Sequence, residues 1–272
     1  MAVIATNTAA NTSLVYLNRN AAEQGDSLAK ISSGSRIVKA SDDAAGLAVG
    51  TGLKADAAVL KQAAVNSQQS IAILAIADGG LAQISDILER QKVLAAQSAS
   101  GTVTDTERAY IDTEFQALEA EVNAIEGAVT FNGDPLLDAG FNFNVLVGTA
   151  AADIIALDLS SVNVDSTGIG YNAALVTTNA NAILAIGLVE TAIGNIVADR
   201  ATVGALQSRF GFRNDVVSVA VDNTEDAVSS ILDVDIAAEQ TNLTNKRVLT
   251  EAAIAGLSQA NQLTQSLLSL LR

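Results

Sequence analysis

Proline, the residue that most limits helix length, occurs only once in this chain of 272 residues, at Pro135. Average usage of about 5% would give roughly 13 prolines. Because a proline inside a helix removes a hydrogen bond and clashes with the preceding turn, its near absence permits very long helices on both sides of residue 135. Apolar residues make up 49% of the chain but aromatic residues only 3%, which favours thin, closely packed helical layers.

Two long segments repeat apolar residues at every seventh position. The apolar members are Leu53, Leu60, Leu74, Leu81, Leu88 and Ala95 in one segment, and Val189, Ile196, Val203, Phe210, Val217 and Ile231 in the other. Sustained heptads indicate helices that pack along a seam. Asp78 and Lys92 interrupt the companion positions of the first seam, which favours a bundle over a simple two-stranded zipper. We therefore predict a mainly α fold, built as a long antiparallel helical bundle or coiled-coil rod.

Local signals predict where the long helices begin. A helix over about 44–99 should have Ser41 as its N-cap, with Asp42 and Asp43 in its first turn, where carboxylates complement the helix dipole. A second helix should begin at Thr104, because Thr104 and Glu107 have the spacing of a capping box. We expect this helix to run to about residue 126, with Gly127 as its C-cap.

A small β-hairpin region is predicted in the middle of the chain. The segment 131–135 has the composition of a turn, and the alternating or β-branched segments 141–147 and 153–159 follow it. Helix should return near Asn179. If this region forms only outer surface, deletion of 136–160 should be tolerated better than a deletion within the long helices.

The composition excludes several classes of function. The chain has no cysteine and no histidine, so Cys/His zinc sites, disulfides and Ser-His-Asp catalysis are ruled out. The net charge of -15 opposes binding to nucleic acid, so no nucleic-acid partner is expected. The longest apolar runs, 71–77 and 182–189, fall short of the ~20 residues of a membrane span. We therefore expect no membrane-spanning segment.

Clustered carboxylates are the remaining candidates for chemistry. Asp42 and Asp43 fit a helix start and subunit contacts better than a cation site. A metal site is not expected at Asp233, Asp235 and Glu239, because their spacing does not place all three on one helix face. A solvated helix face explains Glu119, Glu121 and Glu126 better than a catalytic pair does. We expect no catalytic, cofactor-binding or metal-binding residues, and no cofactor.

Motifs at both ends of the chain resemble those of a known family. The segments Ile31–Ile37 and Ser41–Ala48 resemble the N-terminal signature of bacterial flagellin. Ala260–Gln262 and Leu267–Arg272 resemble its C-terminal signature, and Thr130–Gly133 resembles the turn after its second helix. The resemblance covers nearly the whole chain, in the family's order, but the large outer domains of many flagellins are absent.

The resemblance implies an arrangement in three parts. The first part, a terminal helical coiled coil in the inner filament core, would comprise residues 1–40 with 232–272. The second part, a long-helix rod, would comprise 41–127 with 177–231. The third part, a β-hairpin region at the outer surface, would comprise 128–176. The charge agrees with this order, because residues 101–170 carry twelve acidic residues and one basic residue while the two ends are nearly neutral. The implied polymerisation interface comprises Leu28, Ile31, Arg36, Asp42, Asp43, Asp233, Asp235, Glu239, Asn261, Leu267, Leu268, Leu270, Leu271 and Arg272.

The implied function is that of a structural subunit, not an enzyme, that self-assembles by its terminal helices into the helical flagellar filament for motility. The implied partners are further copies or other flagellins, a flagellar export chaperone at the C-terminal end, and hook-junction and cap proteins. The N-terminus has no basic region before Arg19, unlike a secretory signal. The resemblance implies export to the extracellular flagellum by the flagellar apparatus, without a cleaved signal peptide.

One helix face suggests a further partner. Flagellins recognised by a Toll-like innate receptor carry a basic and apolar face at positions that Arg90, Leu94 and Glu114 match. The alternative is that these residues only pack neighbouring subunits.

Two other functions stay open at this point. One is a minor protein of the hook-filament junction, and the weaker one is an enzyme or binding protein on a helical scaffold outside motility. A metalloprotease inserted in the central segment is excluded, because its His-Glu-x-x-His motif needs histidine.

Overall fold

The computed structural model describes residues 6–172 and 174–270, with side chains up to residue 266. In this part of the chain the helices are α1 (Thr8–Ser33), α2 (Ala44–Ser98), α3 (Asp105–Ala128), α4 (Asn179–Leu232) and α5 (Ile236–Leu270). The strands are β1 (Thr130–Phe131), β2 (Asp134–Pro135), β3 (Asn142–Leu146) and β4 (Ile154–Asp158). The predicted mainly α fold with a small β region between long helices is confirmed.

The helix starts follow the capping rules, with one correction. Thr104 and Glu107 form the predicted capping box at the start of α3. The predicted N-cap at Ser41 is wrong: α2 begins at Ala44, and Asp43 precedes it with its Oδ1 accepting from the Gly46 N–H at 2.8 Å. Asp43 is the better cap because its carboxylate also complements the positive end of the helix dipole. The predicted C-cap at Gly127 is also wrong, because α3 continues to Ala128 and its C-cap is Val129.

The middle region contains two antiparallel strand pairs. β1 pairs with β2 across Asn132-Gly133, and both of these residues have positive φ, 55° and 93°. This is the two-residue turn that Asn-Gly favours, because both central positions need a left-handed backbone. β3 pairs with β4, with Asn142 opposite Asp158 and Leu146 opposite Ile154. The predicted hairpin is confirmed.

The described fold divides into two compact units. The terminal unit comprises 1–56 with 223–272, and the middle unit comprises 57–222. The three parts implied by the sequence are positions within a filament, and a division of one subunit into two units does not test them. The three-part division therefore stays a prediction.

The predicted heptad seams form much of the core of the middle unit. The buried heptad residues are Leu60, Ser67, Leu74, Leu81, Leu88, Ala95, Val189, Ile196, Val203, Phe210 and Val217. The two helices run antiparallel, because Leu60 packs with Val217 at one end of the seam while Lys92 pairs with Glu190 at the other, with Nζ to Oε1 3.5 Å. By length and composition alone, α2 and α4 could each cross a membrane. Their hydropathy is accounted for in part by this buried seam.

The middle region supplies core as well as surface. Val145, Leu157 and Tyr171 are buried in the same cluster as the heptad residues of α2 and α4. The expectation that residues 136–160 form outer surface only is therefore wrong. Alternation along β3 and β4 turns one face of the hairpin toward the helices and the other toward solvent.

Candidate assembly interface

The terminal unit is built on α1 and α5, which pack along each other. The contact is made by small and polar residues: Ser27 of α1 and Ala260 of α5 are buried, and Asn7 Nδ2 donates to the Ala260 carbonyl at 3.0 Å. Small residues let the two backbones approach closely, but they bury little apolar area. The pairing therefore depends on fit and polar contacts more than on apolar burial.

An ion pair crosses this contact. Lys246 Nζ of α5 donates to Glu23 Oε2 of α1, and Arg19 Nε donates to the other oxygen of Glu23 at 2.8 Å. These two hydrogen bonds, with Lys246 contributing most, lower the pKa of Glu23. Glu23 is thereby kept ionised and fixes the register of the two helices.

Many large apolar side chains of both helices are exposed. Val15, Tyr16 and Leu28 of α1 are 66%, 56% and 54% exposed, and Val248 and Leu263 of α5 are 58% and 57% exposed. Leu14, Leu249 and Ile254 are also exposed. Leu17, Leu243 and Leu257 are half-buried, so the contact contains some large apolar residues, but much of the apolar surface of α1 and α5 stays exposed.

The segment that connects α1 to α2 contacts the end of α4 and the segment that connects α4 to α5. Arg36 donates from its backbone N–H to the Leu232 carbonyl at 2.6 Å and from Nη2 to the Ile231 carbonyl at 2.7 Å. Ser35 forms an isolated antiparallel bridge with Asp233. Arg36 therefore satisfies carbonyls at the end of α4 that have no partner within the helix.

The acidic residues of this junction start helices and turns. Asp42 Oδ2 accepts from the backbone N–H groups of Lys39 and Val38 at 2.9 and 3.1 Å, and these bonds, that of Lys39 first, lower its pKa. Asp235 Oδ1 accepts from the first N–H groups of α5, and Glu239 lies in the first turn. The expected helix-start role is confirmed for Asp43 as the cap before Ala44, but Asp42 closes the preceding turn, and neither residue lies in the first turn of α2 as predicted. Among the described residues, no group of three acidic side chains could hold a metal ion.

The other predicted interface residues fall in two classes. Leu28 and Asn261 are exposed, while Ile31 is half-buried. The side chains of Leu267, Leu268 and Leu270, and the whole of Leu271 and Arg272, lie outside the described residues. Sequence reasoning missed Val15, Tyr16 and Val248. No periodic signal marks them, because the exposed apolar residues are spread around α1 and α5 and do not form one stripe on either helix.

The candidate receptor face is only partly exposed. Arg90 Nε and Nη2 donate to Glu114 Oε1 at 2.9 and 2.6 Å, and both side chains are about half exposed. Leu94 is only 2% exposed and belongs to the core, whereas its neighbour Val93 is 57% exposed. Any ligand of this face would therefore meet the Arg90–Glu114 pair and Val93 rather than Leu94.

Comparisons with known proteins agree with this architecture. Family models match at both ends: the bacterial flagellin N-terminal helical region over residues 4–142, and the C-terminal helical region over residues 186–271. The chain is 36% identical to a flagellin of Halalkalibacterium halodurans over 244 residues, covering 89% of this chain and 90% of that one. It is 33% identical to a flagellin of Listeria monocytogenes over 271 residues, covering 94% of each.

Solved structures give the same result. The crystal structure of Bacillus cereus flagellin aligns with a TM-score of 0.50 and 28% identity, covering 56% of this chain and 88% of that one. A putative flagellar hook-associated protein from Vibrio parahaemolyticus aligns with a TM-score of 0.59 over 71% of this chain and all of its own length. The identity to this second protein is 14%, so it supports the fold alone.

Proposed function

Since the chain belongs to the bacterial flagellin family and is a structural subunit of the flagellar filament, not an enzyme, we propose that its terminal helices α1 and α5 form the polymerisation interface. Flagellin filaments lie outside the cell. The alternatives of a junction protein and of a binding protein outside motility are not better supported.

The observation that carries this proposal is the exposed apolar surface of the α1–α5 pair. Each fully buried side chain of this kind contributes roughly 1.5–3 kcal/mol. A single subunit does not gain most of this free energy from five residues, because more than half of each side chain is exposed: Val15, Tyr16, Leu28, Val248 and Leu263. Neighbouring copies that cover them would supply it, and a contact that does not close on itself generates a helical polymer.

The junction residues support the interface by holding the two helices in place. Helix ends and turns engage the side chains of Arg36, Asp42, Asp43 and Asp235, and Glu239 lies in the first turn of α5, so the contribution of these residues is to orient α1 and α5. Leu28, Ile31 and Asn261 would contact neighbouring copies directly. The C-terminal residues Leu267, Leu268, Leu270, Leu271 and Arg272 complete the proposed interface.

The same apolar surface implies partners before and during assembly. Exposed apolar surface on an unassembled subunit invites aggregation. We infer that an export chaperone covers the C-terminal end, and that the subunit leaves the cell through the flagellar apparatus without a cleaved signal. Hook-junction and cap proteins, which end the filament, would dock on the same terminal helices. Recognition by a Toll-like receptor would involve Arg90 and Glu114, with Leu94 supporting them from the core.

The test is to place charge on exposed apolar positions of α1. Leu28→Asp with Val15→Asp should leave a soluble, helical subunit that does not polymerise, because both positions are exposed and assembly would bury two unpaired charges. Thr167→Asp, an exposed position in the middle region, is the matched control and should polymerise normally. Normal filaments from the α1 variant, seen by electron microscopy after salting out, would refute the proposal.

A further inference from the structure

Three polar side chains are buried inside the middle unit without hydrogen-bond partners for all of their oxygens. Gln91 of α2 and Tyr171 are fully buried, and Glu119 of α3 is 9% exposed. Within the described residues, Gln91 Oε1, Glu119 Oε2 and Tyr171 Oη have no hydrogen-bond partner. Buried polar atoms in folded proteins are almost always paired, so these three oxygens require an explanation. We refer to Gln91, Glu119 and Tyr171 as the polar triad.

The contacts of the polar triad bring its members together. Gln91 Nε2 donates to the Phe115 carbonyl at 3.0 Å, and Phe115 lies one helical turn before Glu119 on the same face of α3. Burial is the main cause that raises the pKa of Tyr171, the charge of Glu119 raises it further, and the Gln91 amide opposes the increase. The Tyr171 hydroxyl therefore lies near both other members, although it makes a hydrogen bond to neither.

The loop 166–171 holds Tyr171 in this position. Asn123 Oδ1 accepts from the Ser166 N–H at 2.8 Å, and the Tyr171 N–H donates to the Ser166 carbonyl at 3.0 Å. Asn195 of α4 donates from Nδ2 to the Ile169 carbonyl at 3.4 Å. Because side chains of α3 and α4 fix the loop, the spacing within the polar triad is set by the surrounding fold.

The polar triad has too few donors to pair its own oxygens. Gln91 Oε1 and ionised Glu119 Oε2 both need a donor, and Tyr171 supplies a single O–H. The bond from Gln91 Nε2 to Phe115 fixes which end of the amide carries the oxygen. A water molecule adds two donors and can accept from Tyr171, so it would pair all three oxygens. About three hydrogen bonds to otherwise unpaired buried groups are typical of an internal water.

A metal cation fits the polar triad less well than water does. Ca²⁺ takes about six to eight oxygen ligands, whereas the triad offers three unpaired oxygens with one carboxylate among them. In the described part of the chain, no group of three acidic side chains could hold a metal ion. Water also suits both protonation states of Glu119, because it can donate to a carboxylate and accept from a carboxylic acid.

We propose that the polar triad binds one internal water molecule, which accepts from the Tyr171 hydroxyl and donates to Gln91 Oε1 and Glu119 Oε2. This water joins α2, α3 and the loop 166–171, and it replaces part of the hydration that Glu119 loses on burial. The inference concerns the core of the middle unit and does not depend on the proposed polymer.

A density map of the full-length subunit, at a resolution that shows ordered water, tests the site directly. We expect one peak at ~2.7–3.2 Å from each of the three unpaired oxygens. Direct contacts among the polar triad with no peak between them would overturn the proposal. A peak with five or more oxygen ligands at ~2.3–2.6 Å would also overturn it, because that coordination belongs to a cation.

Oxygen-17 magnetic relaxation dispersion counts the long-lived internal waters of the subunit in solution. Tyr171→Phe with Gln91→Met nearly conserves side-chain volume but removes two of the three partners, so we expect the loss of about one such water. Tyr110→Phe with Gln68→Met, at two exposed positions, is the matched control and should lose none. Glu119→Gln keeps three polar partners and should also keep the water.

Far-ultraviolet circular dichroism establishes whether each variant is folded. An unchanged water count in the folded double variant of the polar triad would overturn the proposal. If that variant does not fold, the map of the wild-type subunit decides, because it depends on no substitution.

Discussion

At the scale of single residues, Glu119 is a carboxylate whose burial disfavours its ionised form. It lies on the inner side of α3, it is only 9% exposed, and its Oε2 has no partner among the described residues. Burial raises its pKa, although a hydrogen bond with Ser166 opposes the shift. Sequence spacing predicted a solvated face for Glu119, Glu121 and Glu126, and that is wrong for Glu119 because Tyr171 and its loop cover this side of α3.

Replacement of Glu119 should stabilise the fold at neutral pH. Since its folded pKa lies above the unfolded value of 4.5, the folded state binds more protons, and stability falls as pH rises from about 4.5 through the folded pKa. Glu119→Gln keeps an acceptor for Ser166 and removes the buried charge. We expect a gain of about 1 kcal/mol at pH 7 and almost none at pH 4, at the low end of the ~1–3 kcal/mol for an unsatisfied buried group.

Thermal unfolding at both pH values measures this effect. Glu121→Gln, on the exposed side of the same helix, is the control and should change stability little. Burial also raises the pKa of Asp199 to about 6, so the Glu119 variant should keep part of the pH dependence. Equal melting temperatures for wild type and Glu119→Gln at pH 7 would show that the buried charge costs nothing.

At the scale of elements, the periodic signals predicted most of the fold. The heptads of α2 and α4, the capping box at Thr104 and the Asn132-Gly133 turn all depend on local chemistry, which a sequence displays directly. The exposed apolar surface of α1 and α5 was harder to predict. Their pairing uses small residues such as Ser27 and Ala260, which carry little hydrophobic signal, and the exposed apolar residues do not form one stripe on either helix.

The hairpin gives the clearest test at this scale. Deletion of 136–160 removes residues that are buried in the core of the middle unit: Leu136, Leu137, Phe141, Val145, Val147, Ile155, Leu157 and Leu159. At roughly 1.5–3 kcal/mol each, their loss exceeds the ~5–15 kcal/mol by which a domain is stable. We expect the deleted chain to lose cooperative thermal unfolding of this unit.

An insertion in the hairpin turn is the control for that deletion. Four extra residues after Ala151, which is exposed, lengthen a surface loop and should lower the melting temperature only slightly. A deleted chain that unfolds as cooperatively as the wild type would mean that the inner face of the hairpin is dispensable.

At the scale of the whole molecule, the two compact units differ in how much apolar core they bury. The middle unit buries its heptad seams and the inner face of its hairpin, and is therefore equipped to fold from its own contacts. The terminal unit buries few large side chains and exposes large apolar residues on α1 and α5, which we propose are covered by other copies. We therefore propose that self-assembly buries the exposed apolar residues of the terminal unit and leaves the fold of the middle unit unchanged.

The most direct measurement is sedimentation of seeded assemblies over a range of protein concentrations, comparing the full chain with a chain truncated after Gln262. The truncation removes Leu263, which is 57% exposed, and the leucine-rich segment after it. We predict that the full chain pellets above a critical concentration, that Leu268→Ala raises this concentration, and that the truncated chain stays in the supernatant with its helical circular dichroism nearly unchanged. Ordered filaments of the truncated chain at the wild-type concentration would contradict the claim that the terminal helices drive assembly.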